Sequence, residues 1–134
     1  MDKMNIKKID HLGIVIPKLE DGVKLFETGL GLPYLRTEDM PDWNCRIAFF
    51  RCGEVLLELI EPTGESDGKE FLRTYGGGLH HIAFEVEDIQ NAFQGAKEVF
   101  ETKTDAPAAG AGGSKVFFLN EKTILNMSTE FVEL

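Results

Sequence analysis

The sequence is poor in the residues that staple a chain or carry it across a membrane. Its two cysteines, Cys45 and Cys52, fall in one predicted strand. At about 3.3 Å per residue they stand roughly 23 Å apart there, too far for a disulfide. Reduced, buried thiols in a cytoplasmic protein are expected. No apolar run approaches the ~18 residues that cross a bilayer. The opening Met1-Asp2-Lys3-Met4-Asn5 lacks the apolar core of a secretion signal, so no membrane partner is expected. Basic residues are outnumbered: 14 Lys and Arg against 23 Asp and Glu leave a formal charge of −9. That balance argues against nucleic acid as a partner, and leaves an anionic small ligand only where a few cations are placed locally. Histidine is scarce too, limited to His11, His80 and His81.

The scarce histidines mark an internal repeat. Ile9-Asp10-His11-Leu12-Gly13-Ile14-Val15-Ile16 lies over Leu79-His80-His81-Ile82-Ala83-Phe84-Glu85-Val86, with His11 on His81 and Gly13 on Ala83. The offset is 70 residues (81 − 11), about half the chain. With 134 residues and 43% hydrophobic content, the chain reads as a single domain of two modules: module one about 8–62, a linker 63–76 and module two about 77–134.

Each module reads as βαβββ. In the first, Lys8–Pro17 is a β-branched strand, and Leu19, Val23, Phe26 and Leu30 recur at helical spacing. Pro33–Glu38 is a second strand, Asp39–Asp42 a turn-rich loop, and Arg46–Cys52 and Val55–Glu61 a third and fourth strand around Gly53-Glu54. Lys69–Tyr75 suits one or two helical turns ended by Gly76, Gly77 and Gly78. The second module offers strand Leu79–Val86, helix Ile89–Glu101, weak strand Thr102–Asp105, a small-residue loop Ala106–Ser114 and strand Lys115–Asn120. A loop Glu121–Met127 and strand Ser128–Leu134 complete it.

Strand alternation puts His11, Gly13 and Val15 on one face and His81 with Ala83 on its counterpart. A small residue beside each histidine leaves room for a ligand. Glu58 interrupts the apolar run Val55–Ile60, and Glu133 is read as holding the equivalent place in the last strand. A lone strand histidine is usually a hydrogen-bonded core residue, and a lone strand glutamate usually faces water. Four together at repeat-related positions favour a divalent metal, because buried carboxylates are costly without a neutralising partner. The mixed set suits Co, Ni, Zn, Mn or Fe(II) without choosing among them. His80 aligns with Asp10 and is set aside as a ligand.

These pieces resemble the vicinal oxygen chelate superfamily, the glyoxalase/bleomycin resistance/dioxygenase proteins, over residues 8 to 134. The resemblance rests on Asp10-His11-Leu12-Gly13-Ile14-Val15-Ile16-Pro17, Leu57-Glu58-Leu59-Ile60-Glu61-Pro62, Gly76–Val86, Gly110–Leu119 and Val132-Glu133-Leu134. Gly-Gly-Leu-His-His is most similar to the methylmalonyl-CoA epimerase members. The resemblance implies an α+β fold in which two βαβββ modules form an eight-stranded metal-binding cup. It implies His11, Glu58, His81 and Glu133 as ligands, a methylmalonyl-CoA-like thioester as substrate, and an isomerase that exchanges the α-proton between two bases, Glu133 and Asp42. Glu is usual where Asp42 stands, and Gly is usual before the last strand where this chain has Asn126-Met127-Ser128-Thr129-Glu130. Lys69, Arg73 and Lys115 are candidate partners for the CoA phosphates, and a homodimer is expected. A glyoxalase I-type lyase shares the ligand set, but its usual Asp-Pro-x-Gly-Tyr lead into the last strand is absent. A non-catalytic resistance protein of the same fold would lack the ligands, and an Fe(II) dioxygenase would use one carboxylate.

Overall fold

The structure is a computed structural model that describes residues 4–120 and 128–134. The predicted loop 121–127, with Asn126 and Met127, lies outside the described residues. The elements are β1 (Ile6–Val15), α1 (Leu19–Lys24, continued by a π turn, Leu25–Gly29), β2 (Tyr34–Met40), β3 (Cys45–Cys52) and β4 (Val55–Pro62). Then come α2 (Asp67–Tyr75), β5 (Gly78–Val86), α3 (Ile89–Val99), β6 (Ala108–Ala109), β7 (Lys115–Phe118) and β8 (Ser128–Glu133). The class is α+β, with eight strands in the order β2-β3-β4-β1-β5-β8-β7-β6. β1 runs parallel to β4 and β5 parallel to β8, while β2–β3, β3–β4, β6–β7 and β7–β8 are antiparallel. Residues 11–80 form one compact unit, and residues up to Asp10 together with His81–Leu134 form another.

In the 11–80 unit, Leu19 of α1 is buried with Ala48, Phe50 and Leu59, and Ile14, Val23, Phe26 and Leu57 pack against them. In the other unit, α3 places Ile89, Ala92, Phe93 and Ala96 on Val86, Phe117, Leu119 and Phe131. These are the period-2 faces opposite the histidines, so the amphipathic pattern sets which side of each sheet the helix covers.

Both longer helices are capped as their sequences allow. Ser66 accepts from the Lys69 amide at 3.1 Å, and α2 ends at Gly76 in the left-handed region. Asp88 accepts from the Asn91 amide at 3.1 Å. Gly77 follows at φ 114°, where a Cβ would stand 2.9 Å from the Val15 carbonyl oxygen. The close approach leaves no space for a side chain, so glycine is required there.

Two expectations shift. β2 reaches Met40, so Asp39 lies in a strand and only Pro41–Trp43 turns, as a short 3-10 helix. The predicted strand Thr102–Asp105 is absent apart from one bridge from Thr102 to Leu119. Thr102 and Thr104 donate their hydroxyls to the Thr104 and Ala106 carbonyls, both at 2.8 Å, which turns the chain. The edge strand is instead Ala108–Ala109, inside the expected loop. No helix among the described residues is long and apolar enough to cross a membrane.

Candidate metal centre

Each unit holds one buried imidazole–carboxylate pair. In the 11–80 unit, β1 and β4 pair His11 with Leu56, Gly13 with Glu58 and Val15 with Ile60. Laterally paired residues share a sheet face, so His11 and Glu58 project together. His11 Nδ1 lies 3.2 Å from Glu58 Oε2, with both side chains under one-tenth exposed. In the other unit the same register recurs. β5 and β8 pair His81 with Ser128, Ala83 with Glu130 and Glu85 with Val132. His81 Nε2 lies 3.2 Å from Glu130 Oε1, again with both side chains buried. In each half the small residue two places after the histidine, Gly13 or Ala83, stands opposite the glutamate. An aromatic flanks each pair on the next strand: Phe49 pairs with Glu58 on β3, and Phe118 pairs with Glu130 on β7. Phe118 also meets the His81 ring edge-to-face at 5.8 Å.

The carboxylate beside His81 is therefore Glu130, and Glu133 stands elsewhere. Its carboxylate accepts the Ile89 amide at the start of α3, at 2.8 Å. It is three residues from Glu130, an odd spacing, so the pleat turns it to the helix side. The sequence reading missed Glu130 because β8 carries glutamates on both faces. An offset of 72 residues places Glu58 on Glu130 (130 − 58) and Glu61 on Glu133 (133 − 61).

His80 is half-buried and packs edge-to-face on Phe71, with ring centroids 5.0 Å apart. Asp42 sits in the Pro41–Trp43 turn and is exposed. Asp10, which carried no expectation as a ligand, is 5% exposed. Arg73 is engaged by Glu65 and Glu70. Lys115 pairs across the sheet with Glu133 and lines a polar pocket at the start of α3 with Asp88 and Asn91. Lys69 lies in the first turn of α2.

Ser128, opposite His81, is 6% exposed, and its hydroxyl has no partner among the described residues. An unpaired buried hydroxyl costs about 1–3 kcal/mol, so such groups call for an explanation. Cys45 is half-buried, and burial first, then the nearby Glu58 charge, pushes its thiol up to about 11. Cys52 is exposed, against the expectation of two buried thiols, because it stands where β3 turns into β4.

The donor set fits a divalent ion: two imidazoles and two carboxylates, the ligand types of borderline metals, buried in His–Glu pairs. Residues 10–118 match the family described as the glyoxalase/bleomycin resistance protein/dioxygenase superfamily. The chain is 34% identical over 130 residues to the uncharacterized protein YqjC of Bacillus subtilis, covering 96% of this chain and 93% of that one. It is 34% identical over 121 residues to the ethylmalonyl-CoA/methylmalonyl-CoA epimerase of Cereibacter sphaeroides, covering 87% and 90%. Among solved structures, a variant of Streptomyces coelicolor methylmalonyl-CoA epimerase in complex with 2-nitronate-propionyl-CoA superposes with a TM-score of 0.90. It shares 29% identity and covers 96% of this chain and 95% of that chain.

Proposed function

For a chain that belongs to the glyoxalase/bleomycin resistance protein/dioxygenase superfamily, we propose the activity of an epimerase that inverts the α-carbon of a methylmalonyl-CoA-like thioester. One divalent metal would be held by His11, Glu58, His81 and Glu130. The observation that carries this reading is the buried His–Glu pair, repeated in both halves with a small residue beside each glutamate. The epimerase names of the Cereibacter and Streptomyces relatives support the substrate class.

When bound, the ion supplies Lewis acidity to the oxygens flanking the α-carbon, which lowers the cost of removing its proton. The residues of the chain do the rest. Gly13 and Ala83 leave the space that a larger side chain would fill. Glu58 and Glu130 are buried with Phe49 and Phe118 paired beside them, and burial strengthens each charge interaction at the site. The Ser128 hydroxyl offers a donor to a substrate oxygen, and that hydrogen bond would account for its lack of a partner among the described residues. Glu130 takes the role first read for Glu133 and receives the α-proton on a carboxylate oxygen.

The test is metal analysis followed by assay of the holoprotein. Methylmalonyl-CoA should take up one solvent deuteron at the α-carbon and racemise there. Conversion of the methylglyoxal–glutathione hemithioacetal without exchange into methylmalonyl-CoA would replace this reading with a glyoxalase I-type lyase.

A further inference from the structure

Among the described residues, one buried side-chain oxygen or nitrogen has no hydrogen-bond partner, the Ser128 hydroxyl. Ser114 shows the ordinary case: it is also buried, and its hydroxyl donates to the Ala111 carbonyl at 2.7 Å. A hydroxyl left unpaired in the interior destabilises a fold. A serine that keeps one there is a candidate for a bond to something other than the protein.

Register places that hydroxyl within the unit that holds His81–Leu134. Ser128 stands opposite His81, and Glu130 opposite Ala83. Cross-strand partners share a face, and so do residues two apart. His81, Ala83, Ser128, Glu130 and Val132 therefore project from one side. β7 extends that side, with Phe118 opposite Glu130 and Val116 opposite Val132. The two directions along β8 from Glu130 differ. Toward the C-terminus, Val132 packs with Val116 and Ala83 in a closed apolar cluster, each no more than 3% exposed. Toward the N-terminus, two residues or about 6.6 Å along, stands Ser128, with His81 one strand across. Glu85 projects from the same side farther along β5, where Lys7 meets it at 3.4 Å. Of the side chains that β8 and the paired stretches of β5 and β7 turn to this side, Ser128 alone carries a hydroxyl.

We propose that Ser128 recognises the free carboxylate of the acyl group by donating its hydrogen bond to a carboxylate oxygen. The inference deepens the function proposed above and rests on it. A methylmalonyl-type acyl group carries a thioester carbonyl oxygen and two carboxylate oxygens around its α-carbon. A divalent ion that takes one oxygen from each group leaves the second carboxylate oxygen, with its share of negative charge, for the protein to meet. Glu130 repels that charge, and His81 serves as a ligand. The hydroxyl beside them meets it, and a hydrogen bond to a charged acceptor is roughly twice as strong as one between neutral groups. The same hydroxyl discriminates between substrates. An acyl group without a carboxylate leaves it unpaired when the site closes, so that thioester binds more weakly. The thioester carbonyl oxygen is the competing acceptor. It gains charge only as the α-proton leaves, so a bond to it would show in kcat, whereas a bond to the carboxylate shows in KM.

The experiment compares two ligands on the metal-loaded protein by titration calorimetry. 2-Nitronate-propionyl-CoA carries two oxygens where the carboxylate oxygens would stand, and propionyl-CoA carries none there. Ser128→Ala should bind the nitronate about 10-fold or more weakly than the unsubstituted protein. Its affinity for propionyl-CoA should stay within a few-fold, and so should its affinity for the metal. KM for methylmalonyl-CoA should rise by a similar factor, with a smaller change in kcat. Ser128→Thr, which keeps the hydroxyl, should recover most of the nitronate affinity. The metal-free Ser128→Ala protein should melt at the same temperature as the unsubstituted one or above it, because the substitution removes an unpaired buried hydroxyl. Full nitronate affinity in Ser128→Ala overturns the assignment and leaves the epimerase reading intact. Equal weakening of both ligands, or a lowered melting temperature, also overturns it, because that marks a structural role. Loss of kcat at unchanged KM gives the hydroxyl to the thioester carbonyl and overturns it as well. If the unsubstituted holoprotein neither binds the nitronate nor exchanges the α-proton of methylmalonyl-CoA, the epimerase reading itself fails and the role of Ser128 falls with it.

Discussion

Glu61 and Glu133 perform the same task in the two halves. Glu61 Oε2 accepts the Leu19 amide at 3.3 Å, and Glu133 Oε1 accepts the Ile89 amide at 2.8 Å. Leu19 and Ile89 are the first residues of α1 and α3. A carboxylate there satisfies one of the unpaired amides of the first turn and lies at the positive end of the helix dipole. Each of β4 and β8 thus carries one glutamate for the helix side, three residues after the one that meets a histidine.

The first prediction separates those two glutamates. Glu130→Gln should bind metal far more weakly than the unsubstituted protein, and Glu133→Gln should bind it stoichiometrically. Elemental analysis after dialysis gives the answer. Full occupancy in Glu130→Gln would remove Glu130 from the ligand set.

The second concerns what Glu133 does instead. Glu133→Ala and Glu61→Ala should each lower stability by about 1 kcal/mol, the usual size of a lost cap interaction. The midpoint of urea unfolding, with an unchanged slope, reports this. For Glu61→Ala part of the loss also comes from Arg46, which is paired with Glu61 at 3.3 Å.

At Gly77 the chain holds φ at 114°, with the Val15 carbonyl oxygen 2.9 Å from where a Cβ would be. Gly77→Ala should cost about 1–3 kcal/mol in backbone strain before any steric term. Thermal unfolding checks it. A melting temperature equal to that of the unsubstituted protein would show that the loop relaxes freely.

The fourth prediction uses the cysteines. Cys45 has its thiol pushed up to about 11 by burial and by Glu58. The reactive thiolate is thus scarce at pH 8 in the metal-free protein. Iodoacetamide should label exposed Cys52 first, and the labelling rate at Cys45 should keep climbing as the pH rises toward 11, as peptide mass spectrometry can follow. Labelling of Cys45 that levels off near pH 8.5 would contradict the shift.

The repeat, both histidines, Glu58 and the helix-covered faces were legible in the sequence because each is a matter of spacing along a single element. His11 and Gly13 share a face whatever the partner strand does. The choice between Glu130 and Glu133 was not legible, since both lie in one strand and differ only in parity. Parity has meaning only once Ala83 is known to stand opposite Glu130. The same holds on β2: that Glu38 and not Asp39 shares a face with Glu58 depends on the pairing of Glu38 with Ile47 across a hairpin. The edge strand was misplaced for a different reason. Thr102 and Thr104 have strand propensity, but their hydroxyls take up backbone carbonyls and bend the segment away from pairing.

The parallel pairings also govern when the centre comes into being. Glu58 follows His11 by 47 residues (58 − 11), and Glu130 follows His81 by 49 (130 − 81). Neither pair exists until a whole module has closed, because parallel strands meet only after the crossover between them is in place. Closures of that span are the slow steps of folding, since the loop entropy is lost before the contact is gained. In the unfolded chain the donors are too far apart to act as a nucleus, so a metal ion would join late and mark completion instead of guiding assembly. The rate of metal capture during refolding would then serve as a clock for the last long-range closure in each half.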